Sequence, residues 1–363
     1  MVTAGDRAGR GDVDPAFWAG KRVFLTGHTG FKGGWMALWL QQMGAVVTGF
    51  ALAPSTNPAL FEVADIAKGM TSIIGDIRDQ AALAAALIGA DPEIVIHMAA
   101  QPLVRASYDD PVGTFSTNVM GTVHLLEAVR RAPSVRAVIV VTTDKCYENR
   151  EWVWAYREDE AMGGHDPYSS SKGCAEIATA AYRRSFFSGT KCSTGIASGR
   201  AGNVIGGGDW AADRLIPDIL RCVSAGEPVL IRNPLATRPW QHVLEPVAGY
   251  LVLAQALWDN PATAAQAWNF GPREADARPV QWITERLCAL WGSGAGWTKD
   301  GTEQPHEARY LKLDISKARE GLGWLPRWTL DDALASIVGW QRAFLAGENM
   351  HDYCKAEIAR FAA

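Results

Sequence analysis

The chain has 363 residues, 48% hydrophobic and 20% charged, enough for one large or two coupled globular domains around a sizeable core. Lys+Arg number 35 against 39 Asp+Glu, a net charge of −4 with no basic block of the kind that grips a nucleic-acid backbone. Nucleic-acid partners are thereby excluded, and an anionic ligand must meet individually placed arginines.

Apolar runs such as residues 81–90 fall short of the ~20 residues needed to span a bilayer, so no membrane partner is expected. Six scattered cysteines without Cys-x-x-Cys pairing read as reduced thiols of a cytoplasmic protein. The seven histidines lack the paired spacing of a metal site, so no metal is expected. The opening residues are rich in Gly, Asp and Arg, and residues 1–20 are expected to form a flexible tail.

Arg22 to Thr26 is a short apolar strand ending in Gly27-His28-Thr29-Gly30-Phe31-Lys32-Gly33, and a helical pattern follows with Met36, Trp39, Leu40 and Met43 on one face. Glycines in such a turn let the backbone approach a pyrophosphate, and the amides of the helix start attract its charge. A second strand, Ala45 to Leu52, ends without the acidic residue that selects NAD or the arginine that accepts NADP, so this position leaves the cofactor open. The third strand runs to Asp76 and Ile77, where Asp76 either accepts from an adenine amino group or caps the loop. A fourth, Glu93 to Ala100, ends in Ala99-Ala100, small enough for a nucleotide to lie close. Thr114 to Arg131 reads as one helix.

The fifth strand, Arg136 to Thr143, is almost wholly apolar, as a strand buried on both faces should be. Thr142, Thr143, Asp144 and Lys145 then follow at its carboxyl end, where ligands bind in a doubly wound sheet. Asp166-Pro167-Tyr168 opens a helix that places Lys172 one turn from Tyr168. A phenol titrates near ~10, and a cation held one turn away would lower that value and prepare a general base. Strands near 193–201 and 267–271 complete an expected seven. The fold class is therefore α/β: a Rossmann-type doubly wound parallel sheet over residues 21–202, with returning segments near 229–271 and a smaller C-terminal substrate-binding lobe over 203–363.

With the glycine turn, Thr143-Asp144-Lys145 and Tyr168 to Lys172 in this order, the sequence resembles the extended short-chain dehydrogenase/reductase family from about Lys21 to Leu345. Within it the chain is similar to nucleotide-sugar 4,6-dehydratases, through His97 to Arg105, Thr142 to Tyr147 and Gly202 to Trp210. The resemblance implies NAD as cofactor, CDP-glucose as substrate and a homodimer joined through the helices Thr114–Arg131 and Tyr168–Phe187. It implies oxidation at C4, which acidifies the C5 proton, elimination of water across C5 and C6, and return of the hydride to C6.

Tyr168 would take the C4 hydroxyl proton, with Lys172 lowering its pKa and touching the nicotinamide ribose. Thr143 would hold the C4 oxygen, and Asp144, kept protonated, would release the C6 hydroxyl. Lys145 stands where dTDP-glucose dehydratases carry a glutamate base, so the resemblance leaves open whether it takes the C5 proton or another group does. Cofactor contacts are expected from Gly27, Thr29, Gly30, Phe31, Lys32, Gly33, Asp76, Ile77, Ala99, Ala100, Thr142, Tyr168 and Lys172. Gln101 is expected beside the hexose, and Asn203, Arg214, Arg238 and Arg309 at the diphosphate. Trp152, Trp154 and Trp210 are candidates to line the cleft. Three other readings stand beside this one: another NAD(P)-dependent sugar-nucleotide dehydratase, acting on GDP-mannose or dTDP-glucose; a 4-epimerase of the same family, which needs no acid for a C6 hydroxyl; and a dinucleotide-sensing protein without activity.

Overall fold

The computed structural model describes residues 11–188, 194–292, 296–300 and 310–363. Five-residue β1 (Arg22–Thr26), β2 (Val46–Ala51), β3 (Thr71–Ile74), β4 (Ile94–His97), β5 (Ala137–Thr143) and β6 (Gly195–Ala201) join a strand at Ala267–Phe270 in one seven-stranded sheet. Every pairing is parallel, and the order runs from Ala267–Phe270 through β6, β5, β4 and β1 to β2 and β3. The order in which strands are added to the sheet thus reverses between β1 and β4, which opens a crevice at their carboxyl ends where a dinucleotide binds in folds of this kind. All seven residues of β5 are buried, because apolar helices cover both faces of the sheet.

The smaller lobe has its own core, in which Ile216 and Ile219 of the helix Leu215–Ala225 pack with Ile283, Leu334 and Ile337 from two later helices. Its short Val229–Ile231 strand pairs with Trp297–Lys299.

Two expectations need correction here. The described part of the N-terminal tail is docked: α1 (Pro15–Trp18) is capped by Asp14, and Trp18 is fully buried with its indole N–H donating to Gln255 Oε1 at 3.0 Å. Burial of a tryptophan outweighs a polar, glycine-rich composition. The single helix expected over Thr114–Arg131 is instead Pro111–Phe115, a π turn at Ser116–Met120 and Gly121–Val129. The bulge turns Asn118 inward, where its amide oxygen accepts from Gln101 N at 2.8 Å and its nitrogen donates to Gln101 O and Ser171 Oγ at 3.1 and 2.8 Å.

Candidate active site

The glycine turn joins β1 to α2 (Phe31–Gln42), and its geometry explains its composition. Gly27 has φ +79°, and a Cβ there would stand 2.7 Å from Ala99 N; a Cβ on Gly33 would stand 2.0 Å from Gly27 O. At Gly30 the nearest atom would be 3.4 Å away, so its crevice side is open. No side chain caps α2, which leaves its first amides for an anion. This cradle fits the pyrophosphate of a nicotinamide dinucleotide. His28 turns inward and bonds Ser72 Oγ at 2.7 Å through Nε2, and burial lowers its pKa to about 4.

The other expected cofactor positions divide. Ala99 N reaches Thr26 Oγ1 at 3.1 Å, so the end of β4 is drawn against the turn. Asp76 is held by Arg78, whose Nε and Nη2 donate at 2.8 and 2.6 Å, and that hydrogen bonding holds its carboxyl below the ordinary value. Side chains alternate along a strand, so the Thr142 hydroxyl points under the sheet end and donates to Glu176 Oε1 at 2.5 Å, while Thr143 takes the crevice side.

Thr143 Oγ1 donates to Asp144 Oδ1 at 2.9 Å, and the same residue acts to lower the Tyr168 phenol against its burial. Asp144 opens the 3₁₀ turn Asp144–Cys146 and is buried; burial raises its pKa, against the opposing pull of Lys145, Thr143 and Arg238. Its Oδ2 has no hydrogen-bond partner. Lys145 is half-buried beside it. Tyr168 and Lys172 lie on the helix Pro167–Phe186, where Asp166 Oδ1 accepts from Ser169 N at 2.8 Å and Pro167 fills the first position.

The expected lowering of the Tyr168 phenol by Lys172 is not found in the free protein. Burial pushes Tyr168 up to about 12, and the groups that act on it are Thr143, Asp144, Arg214 and Asp166. Lys172 is itself lowered to about 8 by burial, and its ammonium donates to the Val141 carbonyl at 3.4 Å. Spacing put the two on one helix face, but the lysine leans toward β5.

Lys32 reaches the same cluster: its amine is lowered to about 7 by burial and by the charges of Arg214 and Lys172, with Asp144 opposing. Arg238 is buried close enough to Asp144 to act on its acidity. Arg214 donates to Asp209 Oδ2 at 2.9 Å, and Asn203 O accepts from Gln241 N at 3.1 Å. Arg309 lies outside the described residues. The Gln101 amide is committed to the protein, giving to Thr114 Oγ1 at 2.9 Å and accepting from Leu103 N at 2.5 Å.

Of the tryptophans expected in the cleft, Trp210 packs on Trp340 and Phe344 and Trp152 on Tyr156, while Trp154 is 66% exposed. Aromatic neighbours offered more contact than the open crevice. Sequence reasoning missed Asn118, Glu176 and Arg200. Glu176 follows Lys172 by four residues, a spacing that marks the same helix face. Among the described residues, no group of three or more His, Cys, Asp or Glu is placed to hold a metal ion.

Comparison with known proteins adds to this geometry. A CDP-glucose 4,6-dehydratase of Salmonella typhimurium is 56% identical over 352 residues, covering 96% of this chain and 98% of its own. Among solved structures, a UDP-glucose-4-epimerase from Stenotrophomonas maltophila with bound NAD superposes with a TM-score of 0.78 at 21% identity, over 90% of this chain and 99% of the other. A dTDP-glucose 4,6-dehydratase from Bacillus anthracis in complex with NAD gives a TM-score of 0.73 at 20% identity, over 90% and 98%. At those identities the two structures share the fold. The family model described as GDP-mannose 4,6 dehydratase matches residues 24–337, and with it the chain belongs to that family of extended short-chain dehydrogenases/reductases.

Proposed function

We propose that the protein is an NAD-dependent lyase that removes water from CDP-glucose to give CDP-4-keto-6-deoxyglucose. The observation that carries this reading is the buried Asp144, raised toward its protonated form beside Tyr168 and Thr143 at the end of β5, in a chain 56% identical to a CDP-glucose 4,6-dehydratase. An epimerase has no hydroxyl to expel and no use for such an acid.

Gly27, Thr29, Gly30, Phe31, Lys32 and Gly33 would hold the NAD pyrophosphate, with Asp76, Ile77, Ala99 and Ala100 along the adenosine side. Bound there, NAD supplies hydride acceptance at C4 and its return at C6. The remaining work falls to side chains. Thr143 holds the C4 oxygen, and Tyr168 receives the C4 hydroxyl proton once the ligands change the surroundings of its phenol. Lys172 turns its ammonium to the ribose. With C4 oxidised, the C5 proton is acidic; Lys145, as the free amine, is our choice to accept it, Asp144 gives its proton to the departing C6 hydroxyl so that water leaves, and the proton held by Lys145 returns to C5 as C6 is reduced. Asn203, Arg214 and Arg238 receive the diphosphate, Arg214 exchanging Asp209 for phosphate.

A homodimer fits the surface. Val112 at 78% exposure, Phe115 and Met120 stand on turns packed against the catalytic helix, which itself exposes Ile177 at 59%, and a second copy would cover these apolar side chains. The five described cysteines are free, which suits a cytoplasmic enzyme, and no described helix is long and apolar enough to cross a membrane.

The test is incubation with CDP-glucose. We expect the alkaline absorbance of a 4-keto sugar to develop without net reduced cofactor, and steady one-for-one accumulation of NADH would mean an ordinary dehydrogenase. A panel of CDP-, dTDP-, UDP- and GDP-hexoses then reads base selectivity.

A further inference from the structure

Glu176 has no place in the chemistry above, yet it lies one turn beyond Lys172 on the face that carries Tyr168, and it is only 4% exposed. Its carboxylate accepts from two strand ends: from Thr142 Oγ1 at 2.5 Å, Ser198 Oγ at 2.7 Å and Arg200 Nη2 at 2.9 Å. Arg200 is fixed in turn, donating to Tyr147 OH at 2.8 Å and Glu158 O at 3.0 Å. The carboxylate is thus immobile.

The Lys172 ammonium is loosely held, with the Val141 carbonyl 3.4 Å away. The titratable groups that face it from neighbouring elements are Cys146 of the 3₁₀ turn, His97 of β4 and Lys32 of α2. None of these is an anion near neutral pH: burial pushes the Cys146 thiol up and brings His97 down to about 3, and Lys32 competes as a cation. Glu176 is the carboxylate that favours a charged Lys172. Arg183, on the same helix, also feels Glu176.

We infer that Glu176 is a positioning residue of the reaction: it is the fixed anion that keeps Lys172 protonated for its work at the ribose, and Arg200 is the cation that keeps Glu176 ionised. The inference rests on the role proposed for Lys172. Glu176→Gln keeps the shape and an acceptor but removes the charge, so Lys172 loses its proton at lower pH. Arg200→Gln leaves the buried Glu176 without its cation, so that carboxyl gains a proton and Lys172 again loses its own at lower pH. A purely structural pair would damage folding without these titration shifts.

The experiment is the pH profile of kcat for holoenzyme with CDP-glucose, in the parent, Glu176→Gln and Arg200→Gln. For Glu176→Gln we expect the basic limb to move down by about one pH unit, an activity loss of roughly tenfold on that limb and little on the acid side. For Arg200→Gln the limb should move down as well. Unmoved limbs, a loss equal at every pH, or an upward shift in either variant would overturn the inference. Should Glu176→Gln not fold, Arg200→Gln decides alone, a downward shift supporting it and any other result refuting it. The same shifts read on the Lys172 ζ-nitrogen by NMR in the free protein need no turnover. Absence of dehydration by the parent would therefore sink the proposed function while this readout still judges the pair.

Discussion

Asp144 and Glu176 are both buried carboxyls at the end of β5, and the protein treats them in opposite ways. Asp144 loses its hydration and receives little in return: Oδ1 accepts from the Thr143 hydroxyl and Oδ2 has no partner, so burial raises its pKa. Glu176 is buried as well, which opposes its ionisation, but Arg200, Thr142 and Ser198 supply charge and hydrogen bonds, and its pKa falls. Depth alone therefore assigns no role. What matters is the number of donors aimed at the group: a carboxyl without them stays a proton donor, and one with them becomes a permanent anion.

The contrast predicts that the two acids fail differently. Asp144→Asn should lower turnover by about 10²–10⁴-fold, the usual contribution of a positioned acid, with nucleotide-sugar binding retained. It should not destabilise the fold, since it replaces a poorly solvated acid by a neutral group of the same shape. The sign of its pH dependence follows: the folded pKa of Asp144 lies above the unfolded one, so the parent loses stability as pH rises past the ordinary carboxylate value, and the asparagine variant gains on it over that range. Equal kcat in variant and parent would remove Asp144 from the mechanism. Glu176→Leu should cost about 3–5 kcal/mol in urea unfolding, because it strands the Arg200 guanidinium in the interior. An unchanged unfolding midpoint would show the pair to be dispensable.

The sequence carried one side of this contrast far better than the other. The glycine turn, Thr143 to Lys145 and Tyr168 with Lys172 are local patterns, each constrained by residues a few positions away, and strand and helix periodicity placed them in order on the sheet. Glu176 and Arg200 lie 24 residues apart, and each alone reads as an ordinary surface charge. Only the fold, by pairing β5 with β6 under the catalytic helix, turns them into one interior pair. Asn118 was hidden for the same reason, since its partners Gln101 and Ser171 come from other elements. The Trp18 contact with Gln255 likewise joins residues 237 positions apart, so composition around Trp18 could not reveal that the tail is anchored. Lys172 shows a different limit, because spacing fixes the face a side chain leaves from but not which carbonyl it leans toward.

Two buried histidines extend the comparison to bases. His28 is brought to about 4 by burial, and His97 to about 3 by burial and then by Lys172; both are held neutral in the fold. Their folded values lie below the unfolded 6.5, so the stability they contribute is complete above that pH and is lost as pH falls toward the folded values. We expect a loss of about 3 kcal/mol for His28 and about 5 kcal/mol for His97 across that window, read from urea unfolding at a series of pH values. His28→Asn should shrink the acid loss by its own share, and a variant that tracks the parent throughout would mean His28 is not held neutral.

The smallest expected effect separates the adjacent threonines. Thr142→Val keeps the β-branched shape that suits a strand but removes one of the three donors to Glu176. Ser198 and Arg200 remain, so the carboxylate stays charged and the loss should be about 1 kcal/mol in urea unfolding, typical of one hydrogen bond. Because the Thr142 hydroxyl faces away from the crevice, kcat near neutral pH should change less than threefold. Thr143→Val, on the crevice side, should instead cost roughly tenfold or more in kcat with little change in stability, since it removes the crevice-side hydroxyl that donates to Asp144. If the two substitutions gave the same pattern, the division of the strand end into a working face and a supporting face would be wrong.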